Sequence, residues 1–280
     1  MLKKVNRLLL PFLFWHLLLS MALPVVLFAC NTSTFSLMPA FDNFREIVSN
    51  GFPYNIALWF LFSLFVINIL AFGLVWIVEK CRYDKFKPYL IIFLSILCGF
   101  VGWLLRRHSI AMPLYLDTAL VSMPFFVSGY VANRYASILT SRVGWKSIVM
   151  LVVSFSSIVY LYIRNIYVLD LRTNMFVLNT LFVYLCSFAG IYFLTMLCKL
   201  VKHLPVVSYV GRYSIIILVL HCPLINLVAP LVDTLFSSSS IAVRSYIILV
   251  VVVALSAACI PLCKRFLPHF TAQKDLIKVG

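Results

Sequence analysis

Eight apolar runs of roughly bilayer-spanning length dominate this sequence, at 8–30, 54–78, 88–105, 114–132, 147–163, 176–198, 215–236 and 245–263. A helix needs about 20 such residues to cross a hydrocarbon core. The runs 88–105 and 147–163 are the shortest. Backbone in lipid must satisfy its own hydrogen bonds, and a helix does so residue by residue. Composition agrees: 64% of the 280 residues are hydrophobic and 11% charged, against about 45–50% and about 25% in soluble domains. No water-soluble core of this length hides so much apolar surface. The expectation is an all-α fold, a polytopic transmembrane helical bundle of about eight spans, forming one membrane domain over 1–280.

The net charge of +15 would suggest nucleic acid in a soluble protein. Here the charges fall in short loops between apolar runs, so they report topology and no nucleic acid is expected. Lys and Arg split 17 to 6 between alternate loop sets. The rich set holds Lys3, Lys4 and Arg7, then Lys80 to Lys87, Arg134 to Lys146, Lys199 to Arg212, and Lys264 to Lys278. Under the positive-inside rule both termini are cytoplasmic. The outer loops are then 31–53, 106–113, 164–175 and 237–244. A rival reading of the N-terminus as a signal peptide is disfavoured, because its apolar run exceeds the usual 7–15-residue core. The Asn31-Thr32-Ser33 sequon is read as chance. The eight cysteines lie mostly in or beside apolar runs without a CxxC pair, and read as small apolar residues.

Ionisable groups inside spans are costly and point to function. His16 lies in the first run and His221 in the seventh, with Asp117 and Asp233 near outer ends. Arg7 precedes His16 by nine residues, and Arg212 precedes His221 by nine. On two helices running outward, each histidine would sit roughly 13 Å deeper than its arginine, on the opposite helix face. The expectation is one polar cavity, open to the cytoplasm, lined by His16 and His221, where a neutral imidazole serves as general base. The bland alternative is that each histidine only hydrogen-bonds a neighbouring helix. Arg106-Arg107-His108 caps the outer end of the third run. It is suited either to clamping an anion or to snorkelling to headgroups, and Asp117 is its expected salt-bridge partner. No Gly-rich phosphate loop, GxSxG elbow or HExxH motif occurs, and no metal site is expected.

Four stretches together resemble the acyltransferase-3 family of integral membrane O-acyltransferases, in particular its fucose 4-O-acetylase-like branch. Lys3-Lys4-Val5-Asn6-Arg7-Leu8-Leu9-Leu10-Pro11-Phe12 is similar to the family's basic run into an R-x-x-x-P-[YF] helix start. Leu58-Trp59-Phe60-Leu61-Phe62-Ser63-Leu64-Phe65 looks like its LWFLxxLF stretch. Met112-Pro113-Leu114-Tyr115-Leu116-Asp117-Thr118-Ala119-Leu120, continuing through Pro124-Phe125-Phe126 to Gly129-Tyr130, is similar to its P-F-F…G-Y helix. Val210-Gly211-Arg212-Tyr213-Ser214, with His221 seven residues on, looks like its G-[KR]-x-S…H pattern. The family's first two spans, which carry an intramembrane catalytic histidine, precede the basic run matched here. They are expected to be missing from this sequence.

The resemblance implies transfer of an acyl group, acetyl from acetyl-CoA, to a sugar hydroxyl of a lipid-linked glycan or cell-surface polysaccharide, in the inner (plasma) membrane. Acetyl-CoA is then a donor substrate, and no bound cofactor is expected. His221 and His16 are the catalytic candidates present. Arg7 and Arg212 are the expected contacts to the CoA phosphates, with Arg106 and Asp117 as further substrate-binding candidates. The alternatives are a catalytically inactive membrane subunit, or a transporter or flippase of a lipid-linked sugar. The second would favour internal repeats and paired intramembrane charges, and the sequence shows no repeat.

Overall fold

A computed structural model describes residues 2–29, 56–110, 112–134, 144–163, 169–170, 175–176, 180–201 and 204–277. These are almost entirely helical. The chain opens as Leu2–Lys4, a π-helical segment Val5–Leu9, and α1 (Leu10–Ala29). There follow α2 (Trp59–Glu79), α3 (Lys87–Arg107), α4 (Leu116–Arg134), α5 (Trp145–Ile163) and α6 (Thr180–Val201). The short α7 (Pro205–Arg212) leads to α8 (Ser214–Leu235), α9 (Ile241–Ala258) and the short α10 (Ile260–Phe266). Six segments are long and apolar enough to cross a membrane: Trp59–Glu79, Asp84–Arg107, Pro113–Arg134, Leu181–Val201, Ser214–Leu235 and Ile241–Phe266. The described part of the run 8–30 and the run 147–163 are helical too, within Val5–Ala29 and α5. The protein is a multi-pass helical membrane protein.

Two helix starts depart from the apolar pattern, each for a local reason. α6 begins at Thr180 rather than 176, because Leu169–Asp170 and Met175–Phe176 pair as a short antiparallel ladder. α9 begins at Ile241, inside the expected loop 237–244, because the Ser240 hydroxyl accepts the Val243 N–H at 3.4 Å. That bond satisfies one of the donors every helix start leaves open. The cysteine at 30, the sequon at 31–33 and the whole loop 31–53 lie outside the described residues. The seven described cysteines are all free thiols.

The chain divides into two compact units. One is Met1–Phe65 with Val206–Gly280, and the other is Val66–Pro205. In the second unit, α3 and α4 pack through a stripe of small buried residues, Ser95, Gly99 and Gly102. A Cβ on Gly102 would lie 2.7 Å from a Val121 methyl and 2.8 Å from the Val121 nitrogen. On Gly99 it would lie 2.9 Å from the Pro124 ring. Lipid supplies no hydrophobic drive between helices, so close backbone approach over small residues is what holds such pairs. Pro124 removes the N–H that the Leu120 carbonyl would otherwise accept. One residue on, the Val121 carbonyl accepts the Tyr184 hydroxyl of α6 at 2.6 Å. At the other end of α3, the Lys87 ammonium bridges Glu79 (2.9 Å) and Asp84 (2.8 Å). Gly102→Ala is expected to destabilise this helix pair by about 1–3 kcal/mol, the usual cost of overpacking a filled contact. Gly73, whose Cβ would meet nothing within 4 Å, should tolerate the same change. Unfolding in mixed micelles would measure both.

In the first unit, Phe12, Trp15, Leu58, Leu61, Ile216 and Val219 form one buried core joining α1, the start of α2 and α8. Val228 and Val232 of α8 meet Val252 of α9. Asp233 is paired with Arg244 at 3.0 Å, which accounts for that carboxylate near the end of α8.

Candidate functional site

The chain's N-terminal segment is basic where α1 starts and apolar beyond it. Its first turns are π-helical over Val5–Leu9, a geometry frequent at functional sites. Arg7 sits in this segment and is exposed. Beside the same core, which includes both Leu8 and Tyr213, the chain breaks between α7 and α8. Tyr213 takes a non-helical backbone (φ −109°, ψ 24°). Its buried ring carries the Lys264 ammonium 4.6 Å above its centre. This anchor leaves Arg212 at the end of α7 and Ser214 at the start of α8.

Arg7 and Arg212 line one cavity of about 310 Å³, with Lys4, Ser214, Thr271 and Gln273 around it. No acidic side chain is among its lining residues. The first amides of α8 have no side-chain cap, so the positive end of that helix adds to three cationic side chains. The volume is at the small end of the range for small-molecule sites, about 300–1,000 Å³. In physical terms the cavity gathers cationic groups where two long helices start. α1 and α8 both set out from it and share a core, so they run parallel.

The histidines lie further along these helices, and neither lines the cavity. His16 is 2% exposed and stacks on Phe12, with ring centres 6.1 Å apart and planes within 9°. His221 is half-buried. Its Nδ1 faces the Ile217 carbonyl at 3.0 Å and its Nε2 faces the Cys222 sulfur at 3.4 Å. A carbonyl only accepts, so Nδ1 carries the proton. Nε2 is then the lone-pair nitrogen, accepting from the thiol.

The placing of each histidine on the helix face opposite its arginine rests on the nine-residue offset. That inference needs uninterrupted α-helix, whereas Arg7 lies in a π-helical turn and the chain breaks at Tyr213 between Arg212 and His221.

Arg106 and Asp117 belong to the second unit, at the joined ends of α3 and α4. Arg106 and Asp117 are half-buried, while Arg107 is exposed, stacked 5.4 Å from the Trp103 ring centre. The two residues do not line the cavity of Arg7 and Arg212. Among the described residues no group of three or more His, Cys, Asp or Glu is placed to hold a metal ion.

Family comparison bears on the same residues. The acyltransferase-3 family, described as an acyltransferase domain, matches residues 1–262. The chain belongs to this family. The match takes in the basic start of α1, the G-R-Y-S turn and both histidines. It makes this acyltransferase-3 protein a membrane acyltransferase in the family's general sense. No curated protein and no solved structure matches the chain.

Sequence reasoning passed over several residues of the site. Lys4 reads in the sequence as a topology charge and as part of the family's basic run, not as a site residue. Ser214 stands in the G-[KR]-x-S pattern without a role of its own, and Thr271 and Gln273 carry neither charge nor motif to mark them.

Proposed function

We propose that this protein transfers an acetyl group from cytosolic acetyl-CoA to a sugar hydroxyl of a lipid-linked glycan or cell-surface polysaccharide, in the inner membrane. The acid-free cavity that unites Arg7, Arg212, Lys4 and the start of α8 carries this reading. CoA is a phosphate-rich anion, and paired guanidinium groups at a helix start are suited to phosphate. With about 310 Å³, the cavity takes the phosphate-bearing part of CoA, and the pantetheine arm extends along α8. Ser214 to His221 rises about 10 Å, which brings the thioester toward the imidazole.

In the reaction, a base takes the proton of the sugar hydroxyl, and the oxygen attacks the thioester carbonyl carbon. The tetrahedral oxyanion collapses, the C–S bond breaks, and CoA leaves as a thiol carrying the proton. His221 is the better base of the two histidines, because its Nδ1–H is fixed and Nε2 presents the lone pair. His16, buried against Phe12, is the poorer one.

The test uses membranes from cells making the full chain, supplied with [14C]acetyl-CoA. Label in extracted lipid-linked glycan or polysaccharide is expected, and it should be lost on mild alkaline ester hydrolysis. If purified protein does not bind acetyl-CoA, the donor assignment fails. If it binds but no carbohydrate is labelled, the acceptor assignment fails.

The side of access is testable separately. Reporter fusions after Lys87 and after Lys146 should read as cytoplasmic, and one within 237–240 as external. The inverse pattern would move the cavity to the wrong side for CoA.

A further inference from the structure

Beyond α10 the chain does not leave the protein. Residues 267–277 double back along the first helix. The Trp15 indole Nε1–H donates to the Phe270 carbonyl at 2.8 Å. Phe14 and Phe270 stack with ring centres 3.8 Å apart. Nearer the chain start, Asn6 grips the backbone of Ile277 twice. Its amide Nδ2–H donates to the Ile277 carbonyl at 2.8 Å, and its Oδ1 accepts the Ile277 N–H at 2.9 Å. Asn6 is 1% exposed. A buried amide that spends a donor and an acceptor on one residue fixes the position of that residue. The segment is therefore held at both ends, against Trp15 and against Asn6.

Between those anchors it is folded tightly. The Leu267 carbonyl accepts both the Thr271 N–H (3.1 Å) and the Thr271 hydroxyl (2.9 Å). The Pro268 carbonyl accepts the N–H groups of Gln273 (2.9 Å) and Lys274 (3.0 Å). Ala272 takes the left-handed conformation, φ 59°, which a non-glycine residue holds only where its surroundings impose it. These same residues, Thr271, Ala272 and Gln273, form a wall of the cavity that Arg7 and Arg212 line. Non-helical backbone beside an apolar helix is tolerated where it is paired and lines a polar cavity. The segment lies beyond residue 262, where the family match ends.

We infer that residues 267–277 are a strap that completes the donor site, and that Asn6 is a positioning residue for acyl-CoA binding, acting through the strap. This rests on the reading of the cavity as the acyl-CoA site. Releasing the strap removes one wall and leaves the arginines facing an open groove. The cations remain, but the enclosure that orders the phosphates between them is lost. Binding and strap closure are then linked, and by reciprocity acyl-CoA must hold the strap down.

The experiment uses the full chain in detergent, with acetyl-CoA as probe. Dissociation constants are measured for the wild type, Asn6→Ala, Ile277→Pro and Arg212→Ala, each with its unliganded unfolding midpoint. Ile277→Pro deletes the N–H that Asn6 accepts without touching α1, so it serves if Asn6→Ala fails to fold. Both strap variants are expected to bind acetyl-CoA about tenfold more weakly, the equivalent of one or two hydrogen bonds. A second readout is trypsin cleavage after Lys274, followed by mass spectrometry. Cleavage should slow on adding acetyl-CoA to the wild type and should be faster in the strap variants. If the wild type binds acetyl-CoA, Arg212→Ala weakens it, and the strap variants bind as the wild type with cleavage indifferent to ligand, the strap inference is wrong and the donor site stands. If the wild type does not bind acetyl-CoA, the donor site itself is wrong.

Discussion

Replacing His221 by alanine is expected to lower acetyl transfer about 10²–10⁴-fold, the range for removing a general base, while acetyl-CoA affinity stays within a few-fold of the wild type. The expectation comes from how the ring is held. The Nδ1–H on the Ile217 carbonyl at 3.0 Å fixes both tautomer and ring plane. The partner of Nε2 is the Cys222 thiol at 3.4 Å, a weak donor that a sugar hydroxyl displaces at little cost. Cys222→Ala should therefore change the rate by less than about tenfold, since it frees Nε2 without moving Nδ1. His221→Gln separates chemistry from packing. It keeps a polar group of similar reach but no base, and should be as inactive as alanine. Single-turnover rates with labelled acetyl-CoA would read all three. Full activity in His221→Ala would remove the residue from the reaction. His16→Ala should act differently. With His16 2% exposed and stacked on Phe12, its loss leaves a hole in the core, and the unfolding midpoint should fall before the rate does.

How much of this was legible in the sequence depends on the kind of interaction. The helices were, because lipid imposes long uninterrupted apolar runs that no other fold reproduces. The meeting of Arg7 and Arg212 was also legible. Each stands in the basic stretch before a long apolar helix, and the R-x-x-x-P-[YF] and G-[KR]-x-S resemblances point to the same two residues. The orientation of the histidines was not. A π-helical turn at Val5–Leu9 and a break at Tyr213 interrupt the α-helical count on which that reading rests, and neither leaves a mark in composition. The strap was hidden for a related reason. Its bonds run from side chains to the backbone of Phe270 and Ile277, and a backbone carbonyl has no sequence signature. Ser95, Gly99 and Gly102, by contrast, stand at helical spacing and are a readable small-residue face. Asp233 found a partner in Arg244, eleven residues on, as a short connection between antiparallel helices favours.

The arginines allow the sharpest separation of binding from topology. Arg7→Ala and Arg212→Ala are each expected to weaken acetyl-CoA binding about 10–100-fold, since a hydrogen bond to a charged group contributes about 1.5–3 kcal/mol. Both residues belong to the loop set that holds 17 of the 23 Lys and Arg residues. Losing one leaves the charge bias of that set essentially intact, so membrane orientation should not change. A fall in affinity with unchanged insertion would therefore report contact with the ligand. Lysine at either position should recover only part of the loss, because an ammonium meets phosphate through a point charge, whereas guanidinium meets it through two parallel donors. The double variant should lose less than the sum of the singles, as expected when two groups share one anion in one cavity. Raising the salt should weaken the wild type more than either variant, because Arg7 and Arg212 are exposed and their attraction is screened within about 8–10 Å at ordinary ionic strength. Wild-type affinity in both single variants would show that the phosphates bind elsewhere, and the cavity would then have to be read as a product of the topology charges alone.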